Sequence, residues 1–95
     1  MTHSLPDTRI PRFAVGCRVR TLSAQESMLL VPEGALQLKG AAAEIVGLID
    51  GNRTVEAITL HLQQAHDDTD TEQIEAEVKQ FIEKLHKRSV LLFTV

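Results

Sequence analysis

Ser27-Met28-Leu29-Leu30-Val31-Pro32-Glu33-Gly34-Ala35-Leu36-Gln37-Leu38-Lys39 is the stretch from which the fold can be read. Met28 to Val31 is an unbroken apolar run, suited to a central strand. Pro32 presets φ for the second position of a turn, and Gly34 can take a positive φ. Leu36 and Leu38 then alternate with Ala35 and Gln37, the period of a strand with one buried face. Residues 27–39 therefore predict a tight antiparallel hairpin, with strands over 27–32 and 35–39.

Upstream, Phe13, Val15, Cys17 and Val19 alternate with Ala14, Gly16, Arg18 and Arg20. Strict alternation predicts a further half-buried strand over 13–20, with 21–25 as a polar link. Residues 1–12 contain Pro6 and Pro11, have no hydrophobic period and lack the apolar centre of a signal peptide. They read as a mobile tail ahead of a single domain over 13–95.

After Gly40 the period becomes that of a helix. Ala42, Ile45, Val46 and Ile49 define a first helix over 41–49, closed at Asp50-Gly51 by a left-handed glycine. Thr54 is an N-cap for a second helix over 54–65, with Val55, Ile58, Leu62 and Ala65 on its apolar face. Thr69-Asp70-Thr71-Glu72 reads as a capping box for a third helix over 71–87. Its stripe is Ile74, Val78, Phe81, Ile82 and Leu85, and Lys84, Lys87 and Arg88 near its end suit the helix dipole. Val90 to Phe93 is an apolar close, suited to a short strand. The order is three strands and then three helices: α+β, a three-stranded antiparallel sheet followed by a three-helix bundle, in a winged helix-turn-helix-like outline.

The chain has 95 residues, 43% of them hydrophobic and 24% charged, enough for one globular core. Its net charge of −3 is unevenly spread: residues 1–20 carry four arginines against one aspartate, and the rest is acidic. The winged outline suggests a DNA-binding regulator. The reader helix, however, opens with Asp70, Glu72, Glu75 and Glu77, which would oppose phosphate, and three Phe with no Trp or Tyr leave few stacking platforms. No segment is apolar over the ~20 residues a membrane helix needs. Cys17, alone, closes no disulfide within the chain; it suits a reducing, cytoplasmic setting and reads as a buried, inert thiol. His61 and His66 lie ~140° apart on a helix and cannot chelate together; they read as solvated surface. No phosphate loop, calcium loop or nucleophile elbow is present in the sequence. These residues therefore predict neither catalysis nor a metal or cofactor site.

The segment Leu30-Val31-Pro32-Glu33-Gly34-Ala35-Leu36-Gln37-Leu38 resembles the L-x-P-E-G-x-x-x-L strand-turn-strand of the PqqD family of pyrroloquinoline quinone biosynthesis. Ala42-Ala43-Glu44-Ile45 is similar to that family's A-A-E-I segment, and Asp50-Gly51 through Thr54-Val55 to its D-G-x-x-T-V. Val78 to Leu85 and Val90-Leu91 resemble its last helix and end. The chain departs at Lys39-Gly40-Ala41-Ala42, where the family often carries Asn-x-[Ser/Thr]-Ala. The resemblance implies a non-catalytic, cofactor-free peptide chaperone, a recognition element for ribosomally made and modified peptides. It further implies that the precursor peptide PqqA is bound and presented to the radical S-adenosylmethionine enzyme PqqE, whose iron–sulfur clusters stay with that partner.

A three-stranded sheet has open edges, and strand addition uses them. The expected groove lies between the strand at Ala35, Leu36, Gln37, Leu38 and Lys39 and the third helix at Val78, Lys79, Ile82 and Leu85. Its leucines, valine and isoleucine serve core and groove alike, and Lys79 would meet an acidic group from the rim. The open edge also allows a homodimer by self-pairing.

Overall fold

The computed structural model describes residues 7–94. In order, the chain forms β1 (Ile10–Phe13), β2 (Arg18–Ser23), β3 (Glu26–Val31), β4 (Gly34–Lys39), α1 (Ala41–Leu48), α2 (Val55–Ala65), α3 (Thr71–Lys87) and β5 (Leu91–Thr94). β2, β3 and β4 make an antiparallel sheet in that order, and β1 pairs with β5 in a separate two-stranded sheet.

The hairpin forms where the local chemistry demands it. β3 and β4 pair from Val31↔Gly34 to Glu26↔Lys39, with Pro32 and Glu33 making the turn. Gly34 stands at φ +153, a conformation that side-chain-bearing residues rarely adopt. Leu29, at the centre, is fully buried, and its partner Leu36 packs with Leu38 against the core. α1 packs on β3 and β4, while α3 packs on α2 and β5. Between them lie Ile45, Val46, Val55, Ile58, Val78 and Ile82, all buried.

The helix ends are set by capping. Thr54 Oγ1 accepts from the N–H of Ala57 at 3.0 Å, as its N-cap position requires. Asp50 Oδ1 accepts from the N–H groups of Asn52 and Arg53, and Gly51 turns the chain at φ +81. At α3 the cap falls one residue later than the capping box predicts. Asp70, not Thr69, is the N-cap and accepts from the N–H of Glu72 at 2.9 Å. A carboxylate is the stronger acceptor for an N-terminal N–H, and the Thr69 N–H closes the preceding turn on the His66 carbonyl instead. Gly40, at the departure from the family pattern, caps α1 without a side-chain bond.

The strand expected over 13–20 is two strands with a turn between them. β1 ends at Phe13, the chain turns through Ala14–Cys17, and β2 begins at Arg18. Gly16 at φ +90 makes the reversal, and Val15, expected inside, is 96% exposed. Cys17 is half-buried at the end of this turn rather than on a strand. β2 then continues through residues 21–23 of the expected link, with a register shift between Thr21 and Ser23.

The tail expected over 1–12 is likewise corrected where it is described. Ile10–Phe13 pairs with Leu91–Thr94, and Pro11 is fully buried. The pairing partner is some 80 residues away, so no local period announces it. Residues 1–6 of that expectation lie outside the described residues.

Candidate functional site

β3 is the central strand, so β2 and β4 are both edges. In an antiparallel ladder, hydrogen-bonded and non-bonded pairs alternate. The Gly40 N–H donates to the Gln25 carbonyl at 2.9 Å, which fixes the parity of the β3–β4 ladder. Pairs two residues on, Ser27↔Leu38, Leu29↔Leu36 and Val31↔Gly34, are then the bonded ones. The backbone N–H and C=O groups of Ala35, Gln37 and Lys39 accordingly point away from β3, along the open edge. No turn, loop or cap hydrogen bond among the described residues uses these groups.

By the same parity Val19 and Thr21 face outward on β2. The two edges differ in their protection. β2 carries Arg18 and Arg20 and a register shift, devices that discourage further pairing. β4 carries one charge, Lys39, in six residues.

The expected site residues fall into two groups. Ala35, Gln37 and Lys39 are exposed, and Leu36 and Leu38 are half-buried with their side chains on the core. Val78 and Ile82 are 0% exposed and Leu85 is 3% exposed, so these three are spent in the core and offer no surface. Lys79 is half-buried, with its Nζ 3.5 Å from Glu75 Oε2 one turn earlier. Because α3 leans on α2 and β5, it does not lie flat along β4.

The gap that results is a cavity of about 200 Å³ beside the first half of β4. Val31, Gly34, Ala35, Leu36 and Val90 line it, and Glu33 and Arg88 bring the charge. Arg88 and Val90 were missed in the sequence because they lie past the helix stripe. Ser89 between them, at φ +62, turns the chain out of α3 and back towards β5. A hollow of about 410 Å³ beside Lys79, Gln80, Glu83, Lys84 and Lys87 belongs to one face of α3 alone and has no second wall.

Elsewhere the titratable groups do structural work. Arg9 donates to Asp7 at 2.8 and 2.9 Å and to Glu83 at 3.2 Å, and its guanidinium lies 4.4 Å from the Phe93 ring centroid. Side-chain bonds from Arg9 hold the Asp7 carboxyl below the ordinary carboxylate range, against an opposing effect of burial. His66, expected in solvent, is half-buried, with its Nε2 2.9 Å from Glu44 Oε2, tying α2 to α1. Among the described residues no group of three or more His, Cys, Asp or Glu is placed to hold a metal ion, and no helix is long and apolar enough to cross a membrane.

Fold and edge together define a class: a small α+β domain whose sheet ends in an open strand beside a helix terminus. Residues 26–91 match the family model of coenzyme PQQ synthesis protein D, PqqD. The PqqA binding protein of Azotobacter vinelandii is 37% identical over 81 residues, covering 84% of this chain and 86% of the relative. That of Pseudomonas savastanoi pv. phaseolicola is 36% identical over 80 residues, 83% of each chain. The solution NMR structure of the PqqD truncation of Methylobacterium extorquens PqqCD, a stand-alone recognition element for ribosomally synthesised and modified peptides, superposes with a TM-score of 0.68. It is 32% identical, over 86% of this chain and 87% of that one. The heterocyclase TruD shares the fold alone, at 17% identity and a TM-score of 0.62. The chain belongs to the PqqD family.

Proposed function

We propose that this protein binds the precursor peptide PqqA as a strand added to β4 and presents it to the radical S-adenosylmethionine enzyme PqqE. It acts in the cytoplasm and has no catalysis or cofactor of its own. The observation that carries this reading is the outward row of backbone groups at Ala35, Gln37 and Lys39, on the less guarded of two edges. Membership of a family whose relatives are named for PqqA binding supplies the ligand. We take residues 7–94 as one domain and the β3–β4 hairpin as the wing of a winged helix-turn-helix.

Energetics say what the edge can and cannot do. Four or five added backbone bonds contribute roughly 2–7 kcal/mol before ordering costs, at ~0.5–1.5 kcal/mol each. Micromolar affinity needs about 8 kcal/mol. Apolar anchors must supply the rest, at ~1.5–3 kcal/mol each. With the Val78, Ile82 and Leu85 side chains enclosed, the cavity beside Gly34 and Leu36 is the nearest place for one.

The DNA-binding reading fares worse on this surface. Asp70, Glu72 and Glu77 at the start of α3 are exposed, where a reader helix would meet phosphates. A homodimer through β4 would occupy the peptide's own edge and so compete with it.

Amide hydrogen exchange followed by NMR tests the reading. On adding PqqA, the amides of Ala35, Gln37 and Lys39 should gain protection. Leu36 and Leu38, already bonded to β3, should change little, and α2 should not change. Protection confined to α2, or to the acidic start of α3, would overturn it.

A further inference from the structure

We infer that the cavity at the Gly34 end of β4 is a side-chain subsite of the peptide site, in which Arg88 selects a guest carboxylate beside one apolar side chain. This rests on the peptide-binding reading above and adds to it the chemistry of the residues the guest must carry. The volume of about 200 Å³ suits one large apolar side chain, since an engineered cavity of ~150 Å³ already accepts benzene. Val31, Leu36 and Val90 supply apolar wall. Gly34 contributes no side chain, and a Cβ there would stand in open space with nothing within 4 Å. A strand laid on the open edge begins at Ala35, so its first paired residues pass the mouth of this cavity.

The charge around the mouth selects the guest. Arg88 follows the last turn of α3, is exposed, and enters no ion pair among the described residues. Exposed Lys84 and Lys87 stand on the same helix end, and Lys39 marks the other end of the edge. Glu33 is the one acid of the cavity lining, and it lies more than 4 Å from the Arg88 guanidinium, since no salt bridge joins them. Within the lining Glu33 and Arg88 are one acid and one base, and Lys39 stands opposite Glu26 in the ladder, so selection falls to the Arg88 fork and not to a general basic field. A guanidinium presents a fixed fork of donors that matches a carboxylate in two parallel bonds, so Arg88 reads an Asp or Glu side chain by shape as well as sign. Cations at a helix C-terminus also suit its dipole, and that role alone would move stability without moving affinity.

Calorimetric titration of PqqA into the full-length protein, with thermal melts of each variant, separates the two. Arg88→Gln should raise Kd about tenfold and Arg88→Glu more, with melting temperatures close to that of the unaltered protein. Glu33→Gln should tighten binding, because it removes the opposing charge. PqqA peptides with each acidic residue changed in turn to its amide should include one that loses the same factor as Arg88→Gln. That peptide should lose nothing further against the Arg88→Gln protein. Unchanged Kd in Arg88→Glu, with edge protection intact on adding peptide, overturns the subsite and leaves strand addition standing. No binding of PqqA by the unaltered protein overturns both.

Discussion

At Gly34 the backbone stands at φ +153, yet a Cβ there would touch nothing within 4 Å. Substitution therefore meets strain without collision. Gly34→Val should cost ~1 kcal/mol or more from the backbone alone, a fall of roughly 4–8 °C in Tm for a domain of this size. An unchanged thermal melt would show that the turn relaxes into another geometry. Asp7 gives a second test at the same scale. Its carboxyl is held below the ordinary value of 3.8 by bonds from Arg9. Stability from this pair is therefore present above that value and is lost as pH falls through the lower, folded one. Asp7→Asn should lower Tm at pH 7 by an amount worth about 1 kcal/mol or less, since Arg9 is 40% exposed. In melts near pH 2 the difference between variant and parent should shrink towards zero.

Along β4 the alternation of bonded and free residues separates binding from folding. The Gln37 N–H points to the open edge, so proline there removes a donor for the guest and none from the β3 ladder. The Leu36 N–H serves β3, so proline there breaks the hairpin. Gln37→Pro should weaken PqqA binding by tenfold or more, in a titration, while losing less Tm than Leu36→Pro. A larger thermal loss in Gln37→Pro than in Leu36→Pro would mean that the ladder parity is reversed. How legible each strand is follows from where its determinants sit. Pro32 and Gly34 act within their own turn, so residues 27–39 are readable from neighbours alone. The alternation over 13–19 is formally as good, but Gly16 inside it is the mark of a break, and Val15 falls in the reversal. At the candidate site the edge strand was legible for the same local reasons. Arg88 and Val90 were not, because they join the site only through the path of the chain after α3.

Across the whole molecule, the segment before β2 acts as a strap that no period could reveal. The Arg9 and Asp7 carbonyls accept from the N–H groups of Val55 and Glu56 at 2.9 and 3.0 Å. With Thr54 Oγ1 on Ala57, the first three N–H groups of α2, those of Val55, Glu56 and Ala57, each have a partner outside the helical ladder. β1 pairs β5, Ala14 donates to the Val90 carbonyl, and the Arg9 side chain reaches Glu83 on α3. The strap therefore ties the start of α2, the end of α3 and the wall of the candidate cavity into one body. Removing residues 1–13 would strip two capping acceptors, the whole of β1 and buried Pro11 at once. Each lost bond is worth ~0.5–1.5 kcal/mol, against a domain stability of roughly 5–15 kcal/mol. The shortened protein should melt at least 10 °C lower or fail to fold, as read by circular dichroism. A dispensable tail would leave the melt unchanged. Arg9→Ala keeps the backbone carbonyl on Val55 and loses only the side-chain ties, so its melt should fall between those of the shortened and complete chains.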